Sequence, residues 1–367
     1  MSDDLDRFEE LAETLSTAPS LAEMPRRTLA DKGIAGATAA HVIEEVHTPF
    51  NLAYLTFTTG SSAFQNIVGV AHSELDGRCE VARRLFLALG MDAGRRMLVT
   101  YAPLVNVFAR AALEACGIEW FFLNRSSRDA FLARFCREKP DLLLGESSFI
   151  RASLEAAGSL GLAAEMPKSC VILTAGTPLD LELLPVAERF GYAVHDLYGC
   201  QEFGWLTLDG VPLRDDLNFI PSPAGKDYHE LVVGGLPMAD SFPLSESGHV
   251  CNPAGKVITY RRRRTHPEYE VVVLATALSA AESVDKAART ILRIKGRVVK
   301  VSPSLATGAP ATELMLVPGL ATGGLAMPSD APRFTGPVAT KMFDDLLAAQ
   351  VELQQTAKTD PVWTKRR

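Results

Sequence analysis

The sequence predicts an α/β protein whose large N-terminal domain holds mostly parallel, helix-covered sheets, together with a small antiparallel subdomain. Between about residues 95 and 200, apolar runs such as DLLLGE and SCVILTAG alternate with amphipathic segments such as RDAFLARFCREK. Buried parallel strands form near-continuous apolar runs, and connecting helices cover both faces of their sheet. After about residue 210, β-rich runs separated by turn residues replace this alternation, which is typical of antiparallel hairpins.

The first predicted elements precede this alternation. Residues 5–15 alternate apolar and acidic side chains at helical spacing and predict a surface helix. The β-rich residues 54–57 and 67–70 flank a loop of small residues at 58–62. Residues 74–90 then predict a helix with one apolar stripe.

The α/β region contains strands and helices in strict succession. The predicted strands are RRMLVTYAP, IEWFFL, DLLLGE, SCVILTAG and AVHDLYG. The predicted helices between them are VFARAALEACG, RDAFLARFCREK, SFIRASLEAAGSLG and DLELLPVAERFG. This succession favours right-handed crossovers between parallel strands.

The remaining sequence predicts a β-rich subdomain at about residues 211–295 and a reduced α+β domain at 296–367. HELVVGG and HVCNPAGKVITYRRRR suggest hairpins, EYEVVVLATAL a strand, and ILRIKGRVVKVS a pair of strands around Gly296. Residues 317–337 are rich in Gly and Pro and predict a loop. Residues 341–355 predict a last amphipathic helix. The large domain is thus expected to span residues 1–295.

Composition excludes several classes of protein. The formal net charge of -7 gives no electrostatic basis for nucleic-acid binding. No apolar run approaches the ~20 residues that span a bilayer, and the acidic N-terminus is unlike a signal peptide. The six cysteines are scattered singly, which favours reduced thiols in a cytoplasmic protein.

Two turn segments are candidates for ligand binding. The loop between the first two strands contains hydroxyl side chains around a glycine, which can surround a phosphate, although such residues also make plain hairpin loops. It consists of Thr58, Thr59, Gly60, Ser61 and Ser62. In LTAGTPL, Gly176 ends an apolar strand and Pro178 lies near the next helix. Ligands bind at such strand ends, but a routine turn would look the same.

The third candidate is HDLYGCQEFGW, at the end of the last parallel strand. Tyr198 is suited to stacking on a purine, Gly199 to close backbone approach and Glu202 to binding Mg²⁺. The alternative is a core tyrosine beside a solvated glutamate. The run YRRRR, residues 260–264, is suited to phosphates or an acyl-carrier partner, or is a solvated strand end.

Taken in order, these segments resemble the acyl-adenylate-forming superfamily, particularly its phenylacetate–CoA ligase branch. The motifs are TFTTGSSAFQNIVGVAH, KPDLLLGESSFI, VILTAGTPL and HDLYGCQEFG. The resemblance covers residues 54–204 and continues loosely through HELVVGG and ILRIKGRVVKV. It implies adenylation of a carboxylic acid with ATP and Mg²⁺, releasing pyrophosphate and forming acyl-AMP. The branch implies an aromatic acid, with phenazine carboxylates among the candidates, and a downstream reductase or other acyl acceptor; a homodimer is compatible.

The resemblance also implies roles for individual residues. The loop Thr58–Ser62 would hold the ATP phosphates, with Thr59 contributing to catalysis. The other implied nucleotide-binding residues are Gly176 and Thr177 beside the adenine and acyl pocket, Asp196 at the adenine edge, Tyr198 at its face, Gly199, and Arg297 at the ribose. Glu202 would ligate Mg²⁺ as a catalytic residue. Ala175, Cys200 and Phe108 would line the acyl pocket.

The sequence departs from the superfamily pattern in three places. Ala63 and Phe64 replace a second glycine and a lysine of the phosphate loop. The ribose-binding aspartate has no clean counterpart, because SESGHVC places His249 there and TYRRRRTHPEY lacks it. For the catalytic lysine, Lys341 and Lys358 are candidates only by position. The short segment after Arg297 also weakens the expectation of thioester formation with CoA.

These departures leave two other functions open. One is a catalytically degenerate adenylate-forming fold that binds an aromatic ligand or a partner. The other is an α/β transferase that uses a different nucleotide.

Overall fold

The computed structural model describes residues 52–57, 67–123, 127–222, 225–244, 257–264, 269–295, 299–318 and 330–356. They belong to two compact units. The first contains the described parts of Leu75–Arg214 and Pro243–Arg262, and the second those of Ala18–Glu74, Asp215–Phe242 and Arg263–Arg367. The predicted helix at 5–15, the loop at 58–62 and Arg297 lie outside the described residues.

The described strands and helices are numbered in chain order. The strands are β1 (Leu52–Phe57), β2 (Ile67–Ala71), β3 (Arg96–Val99), β4 (Glu119–Phe122), β5 (Leu142–Gly145), β6 (Val171–Thr174), β7 (Ala193–Cys200), β8 (Gly204–Leu208), β9 (Val211–Pro212), β10 (Leu217–Pro221), β11 (Tyr228–Val233), β12 (Leu236–Pro243), β13 (Arg263–Arg264), β14 (Tyr269–Thr276), β15 (Val299–Thr307), β16 (Glu313–Pro318) and β17 (Arg333–Thr335). The helices are α1 (His72–Ala88), α2 (Pro103–Phe108), α3 (Arg110–Ala115), α4 (Arg128–Glu138), α5 (Ser147–Ser159), α6 (Leu183–Glu188), α7 (Ala281–Lys295) and α8 (Lys341–Thr356), with 3₁₀ turns at Leu162–Ala164 and Thr259–Arg261.

The first unit is built on a seven-stranded sheet with the order β4-β3-β5-β6-β7-β8-β9. The pairs from β4 to β7 are parallel, and β7–β8 and β8–β9 are antiparallel. Strand β5, at the centre of the five parallel strands, is buried along its length, as expected for a parallel strand covered on both faces. The predicted α/β fold with a mostly parallel sheet is confirmed.

Aromatic packing holds helices against one part of this sheet. Phe131 and Phe135 of α4 stack with their ring centroids 5.0 Å apart, and Tyr192 meets Phe135 edge-on at 5.9 Å. These rings belong to a cluster that also contains residues of β5, α5, β6 and α6. The amphipathic segments that predict the helices therefore bury their apolar stripes together.

The predicted single helix VFARAALEACG is two helices. α2 ends at Phe108 and α3 begins at Arg110, with Ala109 between them at φ 75° and ψ 137°. The buried guanidinium of Arg78 donates to the carbonyl of Val107 at 3.0 Å. A continuous helix would use that carbonyl within its own ladder, so this contact favours a break that the local sequence does not reveal.

The second unit confirms the predicted antiparallel pairing in part. β10–β11, β12–β13, β14–β16 and the hairpin β1–β2 are antiparallel. However, β14 and β15 are parallel, and α7 lies between them in the chain. Two parallel neighbours need a crossover, which a tight hairpin cannot provide.

The prediction that ILRIK forms a strand is wrong, because it ends helix α7. Val284, Ala287 and Ala288 are buried at the spacing of one helix face. The β-branched residues favour a strand only over a short window. Within the predicted loop at 317–337, β17 pairs with β16, while the last helix is confirmed as α8.

None of the described helices has the length and apolar character needed to cross a membrane. The described cysteines Cys79, Cys116, Cys136, Cys170 and Cys200 are free thiols.

The first unit should depend strongly on the ring of Phe135, which is 0% exposed. We expect Phe135→Ala to lower the free energy of unfolding by about 3–5 kcal/mol, since it removes the stack on Phe131 and leaves a cavity. Chemical denaturation measures this loss. Leu160→Ala, at a side chain 65% exposed, should change stability by less than about 0.5 kcal/mol. Equal effects of the two substitutions would contradict this account of the core.

Candidate functional site

A cleft with about 270 Å³ of empty space, part of it open to solvent, lies in the first unit, where β6 and β7 end. Its lining residues are Gly176, Thr177, Pro178, Asp196, Leu197, Tyr198, Gly199, Thr259 and Arg262. β6 and β7 are parallel neighbours, and ligands bind at the carboxyl ends of such strands. Five residues predicted to bind nucleotide thus line one cleft: Gly176, Thr177, Asp196, Tyr198 and Gly199.

The turn after β6 forms one wall of the cleft. Gly176 has φ 89°, a left-handed conformation that glycine adopts without strain. Thr177 Oγ1 donates to Glu146 Oε1 at 3.0 Å. Glu146 also caps helix α5 by accepting from the backbone N–H of Ser148 and Phe149. These contacts fix the position of the turn.

Glu146 is ionised in this arrangement. Burial raises the pKa of its carboxyl, but the hydrogen bonds from Ser148, Phe149 and Thr177 outweigh burial and leave the pKa below its ordinary value. The carboxylate therefore keeps accepting hydrogen bonds around neutral pH. The Thr177 hydroxyl is held by Glu146, so the polar groups that this turn presents are mainly those of its backbone.

Asp196 is the buried acid of the cleft. It is 3% exposed, and its Oδ2 has no hydrogen-bond partner among the described residues. Asp209, in the β8–β9 turn, accepts from the Asp196 backbone N–H at 2.8 Å through Oδ1. The other oxygen of Asp209 lies 2.7 Å from His195 Nδ1. Two carboxyl groups are thus held close to the same strand.

The pKa of Asp196 is raised to about 7. Burial is the largest cause, the charge of Asp209 adds to it, and Arg262 opposes both. Near neutral pH the carboxyl therefore exists in both its neutral and its ionised form. A buried titratable group with a shifted pKa in a cleft is typical of functional sites.

Thr259 and Arg262 form the wall that the sequence did not reveal. Thr259 is 4% exposed, and its hydroxyl has no hydrogen-bond partner among the described residues. The guanidinium carbon of Arg262 lies 5.6 Å from the ring centroid of Tyr198. Both residues come from the segment TYRRRR, whose charge is equally typical of a solvated strand end. Burial, which the sequence does not show, distinguishes half-buried Arg262 from exposed Arg261.

Two unsatisfied buried polar atoms, Asp196 Oδ2 and Thr259 Oγ1, line the same cleft. Buried polar groups in native proteins are nearly always hydrogen-bonded. A polar ligand would supply the missing partners, so the cleft fits a ligand with hydrogen-bonding groups along one edge.

Packing within the β7–β8 hairpin also requires a glycine at position 199, independently of its place in the cleft. A Cβ at this position would lie 2.5 Å from the carbonyl oxygen of Gly204 and 2.7 Å from the Trp205 ring. The β7–β8 hairpin therefore requires glycine even without a ligand.

The predicted acyl-pocket residues lie elsewhere in the first unit. Phe108 stacks on Phe86 at 5.7 Å and meets Trp205 at 5.2 Å. Ala175 is buried, and its backbone N–H donates to the Gly145 carbonyl. Cys200 pairs with Gly204 in the β7–β8 ladder. None of these three side chains is among those lining the described cleft.

Glu202 follows β7 in a turn that Arg78 holds. Arg78, on α1, is 4% exposed, and its Nη2 donates to the carbonyls of Gln201 at 2.9 Å and Glu202 at 3.4 Å. Glu202 is not among the residues that line the cleft. No group of three His, Cys, Asp or Glu side chains in the described chain could hold a metal ion. Mg²⁺ is usually bound by one or two carboxylates together with substrate phosphates, so a single glutamate fits such a site and the role of Glu202 stays a prediction.

The fold and the cleft define an α/β protein with a candidate ligand site at the carboxyl edge of its sheet. Over 367 residues the chain is 60% identical to the ACP-SH:acetate ligase of Malonomonas rubra, and the match covers 100% of both chains. The chain therefore belongs to the family of this ligase. Residues 209–354 match the family model described as the MadH C-terminal domain. The prediction that the protein is a ligase is confirmed.

Two solved structures show more distant similarity. A 2-hydroxyisobutyryl-CoA ligase in the postadenylation state, in complex with R3-HIB-AMP, is 13% identical, with a TM-score of 0.43 over 84% of this chain and 86% of that one. The O-succinylbenzoate coenzyme A synthetase of Bacillus subtilis, in complex with AMP, is 18% identical, with a TM-score of 0.41 over 58% and 50%. Similarity at this level assigns no role to any residue of the chain.

The expected link to phenazine acids finds no support in these relatives. The sequence suggested a relationship to the griseoluteic-acid-activating protein of phenazine antibiotic biosynthesis. The relative that matches the whole chain is named for acetate instead.

The shifted pKa of Asp196 predicts a pH-dependent stability. The folded protein keeps this proton up to about pH 7, whereas the unfolded chain loses it near the ordinary value of 3.8. The folded state then binds more protons between these values, so this group's contribution to stability falls as pH rises through them. We expect Asp196→Asn to become more stable than the wild type across this window, by up to about 4 kcal/mol at pH 8.

Denaturation midpoints measured from pH 4 to pH 8 test this expectation. Asp92→Asn removes the same charge at an exposed position, so its profile should run parallel to that of the wild type. A parallel profile for Asp196→Asn would show that the carboxyl is not held neutral in the fold.

The contacts of Arg78 predict that it stabilises the fold and the Glu202 turn together. Arg78→Met should lower the free energy of unfolding by about 2–5 kcal/mol, because buried carbonyls lose a charged donor. Amide hydrogen exchange at residues 200–203 should also accelerate. Arg83→Met, on the same helix with a side chain 58% exposed, should cost less than about 1 kcal/mol. Unchanged amide hydrogen exchange at residues 200–203 in Arg78→Met would show that Arg78 does not stabilise this turn.

Proposed function

We propose that the protein activates acetate with ATP as an acyl adenylate and transfers the acetyl group to the thiol of an acyl carrier protein. The observation that carries this proposal is the 60% identity, over the full length of both chains, to an ACP-SH:acetate ligase. The cleft at the ends of β6 and β7 supports it, because two buried polar atoms there lack partners.

The reaction consists of two displacements. In the first, a carboxylate oxygen of acetate attacks the α-phosphorus of ATP, and pyrophosphate leaves. In the second, the carrier thiol loses its proton and its sulfur attacks the acyl carbon, and AMP leaves with the bonding electrons. The protein contributes mainly by positioning the reactants and stabilising charge.

The cleft residues have distinct tasks in this scheme. Asp196 and Thr259 form hydrogen bonds with the edge of the base, and the backbone around Gly176 lies beside the base. The loop Thr58–Ser62 holds the phosphates, and Arg297 contacts the ribose. Mg²⁺, when bound, offsets charge on the phosphate oxygens, and Glu202 is its expected ligand.

A small acid suits the first unit better than an aromatic one. The ring of Phe108, expected to receive an aromatic acid, is engaged by Phe86 and Trp205 instead.

A catalytically degenerate fold is less well supported. This alternative is based on the replacement of the superfamily's lysine by Phe64 and on the missing ribose-binding aspartate. However, the identity to a ligase over the whole length favours an active enzyme. A degenerate protein would bind nucleotide without turnover.

The proposal predicts ATP–pyrophosphate exchange that depends on acetate. Acetate should support exchange at least about tenfold better than phenylacetate or phenazine-1-carboxylate, because the relative that matches the whole chain is named for acetate and the ring of Phe108 is packed against Phe86 and Trp205. With a thiol-bearing carrier protein, mass spectrometry should show one added acetyl group. Exchange with the aromatic acids alone, or none with any acid, would refute the proposed substrate.

Glu202→Gln provides the matched test of metal-dependent catalysis. Loss of the carboxylate should lower exchange by about 10²–10³-fold. Glu188→Gln, at an exposed glutamate at the end of α6, should leave it unchanged. An active Glu202→Gln enzyme would remove Glu202 from the mechanism without affecting the choice of acid.

A further inference from the structure

We propose that the guanidinium of Arg262 is the plane on which the base of the nucleotide stacks, with Tyr198 supporting it from behind. This inference rests on the proposed function, since it takes the cleft to bind a nucleotide. It differs from the expectation that the base lies directly on the tyrosine ring.

The exposure of the two side chains favours the arginine. Tyr198 is 5% exposed and the Arg262 guanidinium covers one face of its ring, so that face is not open to a ligand. The guanidinium carbon of Arg262 lies over that ring, 5.6 Å from its centroid, and Arg262 is only half-buried. Guanidinium groups are planar and stack on aromatic rings and on nucleobases. A flat ligand entering the cleft therefore meets Arg262 before Tyr198.

The position of Arg262 identifies the part of the nucleotide that it contacts. Its charge acts on Asp196, whose Oδ2 lacks a partner, and Thr259 Oγ1 lacks one in the same cleft. A phosphate beside Asp196 would meet a second acid and leave that oxygen without a donor. A nucleobase carries donors and acceptors along one edge, so it can lie on the guanidinium and reach both atoms.

The neighbouring arginine provides a matched control. Arg261 is exposed, its guanidinium lies near the ring of Tyr260 at 5.8 Å, and it does not line the cleft. Arg261→Gln removes the same charge one residue away.

Calorimetric titration of the full-length protein with adenosine and with AMP tests the proposal. Arg262→Gln and Arg262→Lys should each weaken binding of both ligands by about tenfold, the effect of losing one stacking partner. The two ligands should be affected equally, because the base is common to both. Arg261→Gln should stay within about twofold of the wild type. Arg262→Lys keeps the charge and decides the question if Arg262→Gln does not fold.

Two results would overturn the inference alone. Wild-type affinity in Arg262→Lys would show that a planar group is not needed. Weaker AMP binding with unchanged adenosine binding in Arg262→Gln would place a phosphate at the guanidinium. If the wild type binds neither adenosine, AMP nor ATP, the proposed function fails together with this inference.

Discussion

The buried guanidinium of Arg78 is the contact on which the geometry of the first unit depends. A buried cation must be surrounded by acceptors, and the carbonyls of Asn106, Val107, Gln201 and Glu202 serve here. The same side chain therefore joins α1 to the end of α2 and to the β7–β8 turn. The cleft residues Tyr198 and Gly199 immediately precede that turn, so their position follows from this contact as well as from the sheet.

The sequence predicted those parts of the fold that local patterns determine. Apolar strands such as β5 alternate with amphipathic helices. Each of these two patterns can be recognised within a short stretch of sequence. The errors arise where distant contacts decide the structure. The break at Ala109 accompanies a contact from Arg78, and the helical end of α7 belongs to a crossover between parallel strands. A short β-branched run cannot outweigh a longer helical period that begins at Val284.

The same limit applies to the candidate site. Residues at the ends of β6 and β7 could be predicted, because strand ends are visible in the sequence and parallel strands bring their carboxyl ends together. The sequence offered the run 260–264 as a candidate for phosphates or a partner, but it could not assign Thr259 or Arg262 to this cleft, because only the tertiary structure brings them to that edge. Phe108 illustrates the opposite case, because its aromatic side chain looks available for a substrate until its packing against Trp205 is known.

Electrostatics in the cleft depends on Asp209 as much as on the residues that line it. Asp209 binds the backbone of Asp196 and lies beside His195, and its charge helps to keep Asp196 partly protonated near neutral pH. An ionised, buried Asp196 would repel an anionic substrate such as ATP. Its neutral form carries one hydrogen-bond donor and one acceptor. It therefore matches a ligand that carries both a donor and an acceptor along one edge. The β8–β9 turn, which does not line the cleft, thus helps to determine the charge of the cleft's buried acid.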